Sequence, residues 1–269
     1  MPSGKKSKQR RQAARAVPPP VRTKGGPRQR QASPKVLIGA GVAVAAIAVA
    51  IVLAVVLGHK STPLPKTPAL GSLANGLPGA AEVDALFKGI PQKGTTLGRA
   101  SAPVTMTEYV DLQCPYCQEF ETQVLPNVVK KFVRAGKLRI DLRPWAFIGP
   151  DSDRGQAAVL AASQQNRAFN YAEILYDNQG TENTGWLDEN MVAAAAESIP
   201  GLHVHTLLVA VSSSSVKALA KQVDNEATAD KIDQTPTIYV GKTGTHGKVV
   251  NLTSPTDQAA VYSAIEALT

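Results

Sequence analysis

Cysteine is almost missing from this 269-residue chain: Cys114 and Cys117 are the only two. Histidine is nearly as scarce, at four. A zinc site on the C-x-x-C pair needs two further ligands. His59, His203, His205 and His246 offer no paired spacing, and His203 and His205, two apart on a helical stretch, point to different sides. An inert structural disulfide is also a poor account, because a bridge across so short a loop removes little unfolded-state entropy. Acidic residues are absent from residues 1–35, which hold eleven Lys and Arg. The remainder carries 18 of the 29 basic residues against all 21 acidic ones, a net of −3, so the formal charge of +8 belongs to a tail. A nucleic-acid role inferred from overall charge fails on that split.

Residues 36–58 lack charge altogether and consist of Val, Ala, Ile, Leu and Gly. At ~1.5 Å per residue a helix of this length spans roughly 34 Å, enough for a ~30 Å hydrocarbon core. A signal peptide has a shorter apolar region of ~7–15 residues. The exit His59-Lys60-Ser61-Thr62-Pro63 also lacks a small-x-small cleavage site. The expectation is an uncleaved transmembrane anchor, with the basic tail (1–35) cytoplasmic and the rest of the chain outside. That is a compartment where disulfides persist. The Pro-, Gly- and Ser-rich stretch 59–81 is expected to be a flexible tether.

The spacing of apolar residues predicts a helix over 80–87, a loop over 89–103, a strand over 104–110 and a helix from Pro115 ended by Gly136. Pro126 should kink that helix. A second strand covers 137–142. Helices follow over 152–166, 168–179, 188–198, 202–211 and 213–229, with the run Ser212–Ser215 marking a break or a helix cap. Strands at 237–240 and 248–252 and a helix at 256–268 close the chain. Val104, Met106, Glu108 and Val110 share one strand face by the period of two, so Glu108 sits on an apolar surface and should have a raised pKa.

The Cys pair lies where the first strand turns into the helix. There the free N–H groups and partial positive charge of the helix end favour a thiolate on Cys114, lowering its pKa from ~8.5 toward ~3.5–7. A stabilised thiolate favours the dithiol, so the disulfide is easily given away. The motif points to thiol–disulfide exchange.

Ser101-Ala102-Pro103-Val104, Asp111-Leu112-Gln113-Cys114-Pro115-Tyr116-Cys117-Gln118-Glu119-Phe120, Leu125-Pro126 and, beyond the helical block, Gln234-Thr235-Pro236-Thr237 resemble the DsbA-like thiol:disulfide oxidoreductases. The resemblance covers residues 82–269. It implies an α/β thioredoxin-like fold with a helical insertion at about 151–229, preceded by the N-terminal transmembrane helix. It implies Cys114 as nucleophile and Cys117 as the resolving partner, with Pro115 and Tyr116 tuning the motif. Pro236 corresponds to the cis-proline facing the Cys pair, with Thr235 offering its backbone to an extended substrate. Glu108 corresponds to a buried carboxylate that shuttles protons to the second Cys. No cofactor or metal is implied. The partners implied are exported proteins with free thiols and a membrane disulfide oxidase that restores the bridge.

The expected function is therefore an extracytoplasmic thiol:disulfide oxidoreductase working as an oxidant. Reduction or isomerisation is the alternative within the enzyme class. A tethered redox-sensing peptide-binding module is the alternative outside it. Trp145 and Phe147 are expected in the core or at the rim of the insertion, and Phe169, Tyr171, Leu175 and Tyr176 in packing between helices.

Overall fold

A computed structural model describes residues 67–269 apart from Asn75. The proposed tail (1–35), the anchor (36–58) and the first part of the tether lie outside the described residues. Among the described residues no helix is long and apolar enough to cross a membrane.

The chain runs α1 (Ala80–Phe87), β1 (Gln92–Lys93), β2 (Thr96–Leu97), β3 (Val104–Val110), α2 (Pro115–Gln123), α3 (Leu125–Val128), a π-helical turn (Val129–Val133), β4 (Leu138–Pro144), α4 (Pro150–Ser163), α5 (Ala168–Asp177), α6 (Glu189–Glu197), α7 (Val204–Val211), α8 (Ser214–Ala229), β5 (Thr237–Lys242), β6 (Lys248–Val249) and α9 (Gln258–Glu266). Six strands form one sheet in the order β1-β2-β4-β3-β5-β6. β3 sits at its centre, parallel to β4 and antiparallel to β5. This is the thioredoxin-like α/β arrangement with α4 to α8 inserted between β4 and β5.

The central strands obey the period of two. Val104, Met106, Glu108 and Val110 project to the same side as Leu138, Ile140 and Leu142 and as Ile238 and Val240, and all are buried. Thr105, Thr107 and Tyr109 face the other way with Arg139, Asp141 and Arg143, lining a polar cavity of about 310 Å³. Among the described residues Glu108 is thus the one buried ionisable side chain on this face of β3, β4 and β5, and on the central strand it has no route to solvent along an edge.

Three expectations need correction. The stretch 89–103 is not all loop: Gln92–Lys93 and Thr96–Leu97 form a small hairpin whose second strand pairs with β4 through Thr96↔Asp141 and Leu97↔Ile140. Two-residue strands are too short for alternation to register in sequence. The kink expected at Pro126 falls ahead of it, between Gln123 and Leu125. Proline has no N–H and its ring crowds the carbonyl four residues back, so the preceding turn gives way. The π-helical turn then follows before Gly136, which takes a positive φ of 71° and ends the helix as expected.

The third correction concerns the tether, 59–81, expected to be flexible throughout. Its later residues are strapped onto the insertion. Gly71 N–H donates to Leu202 O at 2.9 Å, Ser72 N–H to Glu197 O at 2.7 Å, and Val204 N–H to Ala69 O at 3.2 Å. Leu77 N–H donates to Ser198 Oγ at 2.9 Å. A helix C-terminus leaves carbonyls without intrahelical partners; the strap supplies donors at the end of α6 and an acceptor at the start of α7. Composition alone cannot distinguish a strand of donors from a linker. Glycine is required at 71, where a Cβ would stand 2.3 Å from Ile199 O and 2.5 Å from Ala196 O.

Gly71→Ala should therefore detach the strap and cost about 1–3 kcal/mol, the range for forcing atoms into a packed site. Urea unfolding measures the loss, and limited proteolysis should cut earlier within 67–78. Unchanged stability and unchanged cutting would mean that the strap contributes nothing.

Candidate active site

Cys114 occupies the N-cap of α2 with φ −70° and ψ 119°, and Pro115 begins the helix. Proline suits that position because its missing N–H would have no partner there. Gln118 N–H donates to Cys114 O at 3.0 Å, closing the first turn. Cys117 lies nearly one turn inward and is wholly buried, while Cys114 is 5% exposed. The expectation that Cys114 is the more accessible sulfur holds, but the margin is small; a substrate must reach it through a narrow opening. Both cysteines are thiols in this structure. Tyr116, between them, is 59% exposed.

The strand-to-helix turn that presents Cys114 is held by Asp111, a fully buried carboxylate. Its Oδ1 accepts from Gln113 N–H at 2.8 Å and from Ser152 Oγ–H at 2.9 Å. Its Oδ2 accepts from Phe147 N–H at 2.7 Å and Ile148 N–H at 2.9 Å. Four donors on one carboxylate offset its desolvation. The backbone of the turn is held as well: Cys114 N–H donates to Asp111 O at 3.1 Å, Tyr176 Oη–H donates to that same carbonyl at 3.1 Å, and Gln179 Nε2–H reaches Leu112 O at 2.8 Å. Tyr176, Gln179 and Ser152 belong to the insertion, so the insertion clamps the redox turn.

Across from the pair lies the loop between α8 and β5. The Thr235–Pro236 peptide bond is cis. Thr235 O stands 3.4 Å from Cys114 Sγ and accepts from the thiol. The structure thus brings Cys114, Cys117, Thr235 and Pro236 together. Glu108 is placed in the core behind them, not in hydrogen-bond contact with either sulfur; among the described residues neither of its oxygens meets a donor. Trp145 is half-buried and Phe147 is 48% exposed, with ring centroids 4.7 Å apart, so Phe147 belongs to the surface rather than the core.

The two thiols are driven apart electrostatically. Hydrogen bonding from Cys117 draws the Cys114 pKa down from an ordinary 9.0 to about 6, against the opposing effect of burial. The Thr235 side chain and the N–H groups of Cys117 and Tyr116 add to the fall. Burial, and then Cys114 itself, push Cys117 well above the ordinary thiol range. One sulfur is an anion at neutral pH and the other keeps its proton. Burial also raises Glu108, followed in effect by the charges of Glu121 and Asp141.

Sequence reasoning missed Asp111, Glu121 and Glu173. Glu121 could have been found, since it follows Cys117 by four residues on the face that buries Phe120 and Val124. Glu173 could not: α5 is buried on nearly every side, so no periodicity marks which positions face the Cys helix. Among the described residues no group of three His, Cys, Asp or Glu could hold a metal ion; His246 Nε2 pairs instead with Asp230 Oδ1 at 2.7 Å.

An N-capping cysteine with a lowered pKa, a buried partner one turn away and a proline loop opposite define a thiol:disulfide oxidoreductase. A family model for thioredoxin matches residues 91–265, and the chain belongs to that family. Its fold is DsbA-like. The probable disulfide bond formation protein D of Bacillus cereus is 28% identical over 148 residues, covering 54% of this chain and 68% of the relative. Disulfide bond formation protein D of Bacillus subtilis is 26% identical over 152 residues, covering 54% and 66%. The fold is shared with BdbD from Bacillus subtilis in its oxidised form (TM-score 0.58, 22% identity, 66% of this chain and 96% of that one). It is also shared with Chlamydia trachomatis DsbA (TM-score 0.55, 22% identity, 65% and 92%).

Iodoacetamide labelling of the reduced protein should titrate with a midpoint near 6, the value of Cys114. The same shift sets a pH dependence. A lowered thiol pKa favours the folded reduced form, by an amount that solvent screening at the helix tip reduces. A depressed pKa stabilises where the group is ionised: the advantage is complete above the unfolded value near 9.0, shrinks as pH falls, and is gone below about 6. Thermal unfolding of reduced and oxidised protein should therefore diverge in favour of the reduced form as pH rises from about 6 to about 9. A labelling midpoint near 9 with parallel unfolding curves would contradict the assignment.

Proposed function

We propose that this oxidoreductase is a membrane-anchored, extracytoplasmic oxidant that passes the Cys114–Cys117 disulfide to exported proteins carrying free thiols. One observation carries the direction: the two thiols are shifted in opposite senses. A pair whose nucleophile is an anion at neutral pH is more stable reduced, and therefore a better donor of its disulfide. The names of the Bacillus relatives, disulfide bond formation protein D, agree with that direction. Location rests on the uncharged 36–58 run behind a tail of eleven basic and no acidic residues.

The geometry supports the following steps. A substrate thiolate attacks Cys114 Sγ of the oxidised pair, and the S–S bond to Cys117 breaks. Cys117 leaves as a thiolate and takes a proton, since burial strongly disfavours its anion. A second substrate thiolate then attacks its own sulfur in the mixed disulfide, and Cys114 departs as the stable thiolate. The substrate has lost two electrons and the Cys pair has gained them. A membrane disulfide oxidase then removes those electrons. During the exchange Thr235, whose carbonyl lies beside Cys114 Sγ, pairs with the extended substrate backbone.

Cys117→Ala should accumulate reducible adducts with extracytoplasmic proteins on non-reducing gels, whereas Cys114→Ala should accumulate none. Equal adducts in both variants would overturn the division of labour, and none in either would favour a redox-sensing binder. Protease added to cells lacking an outer barrier should digest the domain and spare the tail; a protected domain would refute the topology. The reduction potential should be less negative than roughly −200 mV, and a value near −270 mV would make the protein a reductase.

A further inference from the structure

Three non-glycine residues among those described take a positive φ: Asn166 at 57°, Asn183 at 55° and Lys231 at 56°. Asparagine tolerates the left-handed region because its short side chain bonds locally, whereas lysine seldom enters it. Lys231 is exposed and forms no ion pair among the described residues, so its own side chain does not account for the conformation. It follows the C-cap of α8, where a left-handed residue turns the chain away from a helix. Lys231 N–H donates to Thr228 O at 3.1 Å and Ile232 N–H to Ala227 O at 2.9 Å, the paired bonds of a Schellman turn. Ile232 packs on the cluster of Tyr109, Ala227 and Tyr239. Glycine is the usual residue at the position of Lys231. Surrounding structure must therefore hold the lysine there.

The hold comes from Asp230, the C-cap itself. Its Oδ2 accepts from Tyr109 Oη–H at 2.8 Å, and its Oδ1 pairs with His246 Nε2 at 2.7 Å. Tyr109 lies on β3, five residues before Cys114. His246 lies between β5 and β6, where its ring meets Tyr239 edge-on with centroids 5.0 Å apart. One carboxylate thus ties the end of the insertion to two parts of the sheet. Thr235 is only four residues on from Lys231. Beyond Pro236, Thr237 stands opposite Tyr109 in the β3–β5 ladder, and its hydroxyl donates to Gln234 O at 2.8 Å. The sheet fixes the far end of the loop and Asp230 fixes the near end. Between them lies the Thr235 carbonyl, 3.4 Å from Cys114 Sγ.

We propose that Asp230 is a positioning residue for substrate: by clamping the Lys231 turn to Tyr109 and His246, it sets the Thr235 carbonyl where an N–H of an extended peptide can reach it beside Cys114. Oxidised Cys114 has no S–H to give, so that carbonyl is then free to accept from substrate. Without the clamp Lys231 relaxes toward negative φ, and the carbonyl shifts with the loop. Glu226, one turn earlier on α8, makes a separate tie to Arg143 Nε at 2.6 Å, upstream of the turn. Asp230 touches neither sulfur, and no bond forms or breaks at it during exchange. The clamp rests on the pairing of Thr235 with substrate backbone.

The test measures single-turnover exchange of the oxidised full-length chain with an extended dithiol peptide. A second peptide is identical but N-methylated at the N–H groups flanking its reacting cysteine. The wild type should favour the unmethylated peptide. Asp230→Ala should raise the half-saturating concentration of that peptide roughly 10-fold, within the ~10²-fold that a misplacement of ~1 Å can cost. The limiting rate and the methylated peptide should be unaffected. Adding Lys231→Gly to Asp230→Ala should restore the preference, because glycine enters the left-handed region freely. Glu226→Gln should keep it. Should Asp230→Ala fail to fold, His246→Ala, at a side chain 62% exposed, removes one of the two partners and should weaken the unmethylated peptide alone. Wild-type preference in Asp230→Ala or, failing its folding, in His246→Ala would overturn the clamp. So would equal losses for both peptides, no recovery with Lys231→Gly, or the same loss in Glu226→Gln, each of which marks general loosening of α8. A wild type indifferent to methylation would instead refute the pairing of Thr235 with substrate.

Discussion

The buried carboxylate of Asp111 sets the geometry on which the redox pair depends. A helix end can lower a thiol pKa only if the sulfur is kept at the N-cap, within reach of the first N–H groups, because the effect fades beyond one turn. Asp111 lies three residues before Cys114 and uses both oxygens to tie the turn to the segment after β4 and to the start of α4. A carboxylate with one donor fewer would carry a desolvation cost without full compensation. With the network complete, the turn is held and Cys114 stays at the N-cap of α2.

From that placement the asymmetry of the pair follows without further devices. Cys114 gains the donors of the helix end and the Cys117 thiol; Cys117, one turn in, gains burial and a negative neighbour. The same S–H···S contact lowers one pKa and raises the other, so the two thiols titrate as a coupled system rather than as separate sites. Their separation is what allows one sulfur to be the leaving group toward substrate and the other to hold a proton in the reduced state.

Much of this was legible in the chain itself. The strand 104–110, the helix 80–87, the insertion helices and the Cys turn all announce themselves by period, by Pro115 at a helix start and by Ser213, which caps α8. The position of Glu108 on an apolar strand face needed only the alternation of β3. What stayed hidden has a common cause. The hairpin at 92–97, the strap at 69–77 and the Asp111 network all depend on partners distant in sequence: β4 for the hairpin, the end of α6 for the strap, and Ser152 for Asp111. Local pattern carries no information about a donor 41 residues away. Glu173 was invisible for a different reason, since a helix buried all round has no polar face against which an acid would stand out.

These long-range ties also give the insertion a role beyond covering the sheet. Its helices hold the redox turn from outside, through Ser152, Tyr176 and Gln179. On the inner side, burial and then the charge of Glu173 push the Glu121 carboxyl of the redox helix upward. The outer contacts are neutral or fully paired hydrogen bonds and stabilise. The inner one brings acids into an apolar core and is stable only while protons are shared there, so it costs stability that apolar residues of the same size would not. A fold that needed only a rigid Cys turn would have no reason to retain the second contact. Glu121 stands one helical turn from Cys117, so the cost of burying acids falls in the core beside the wholly buried sulfur.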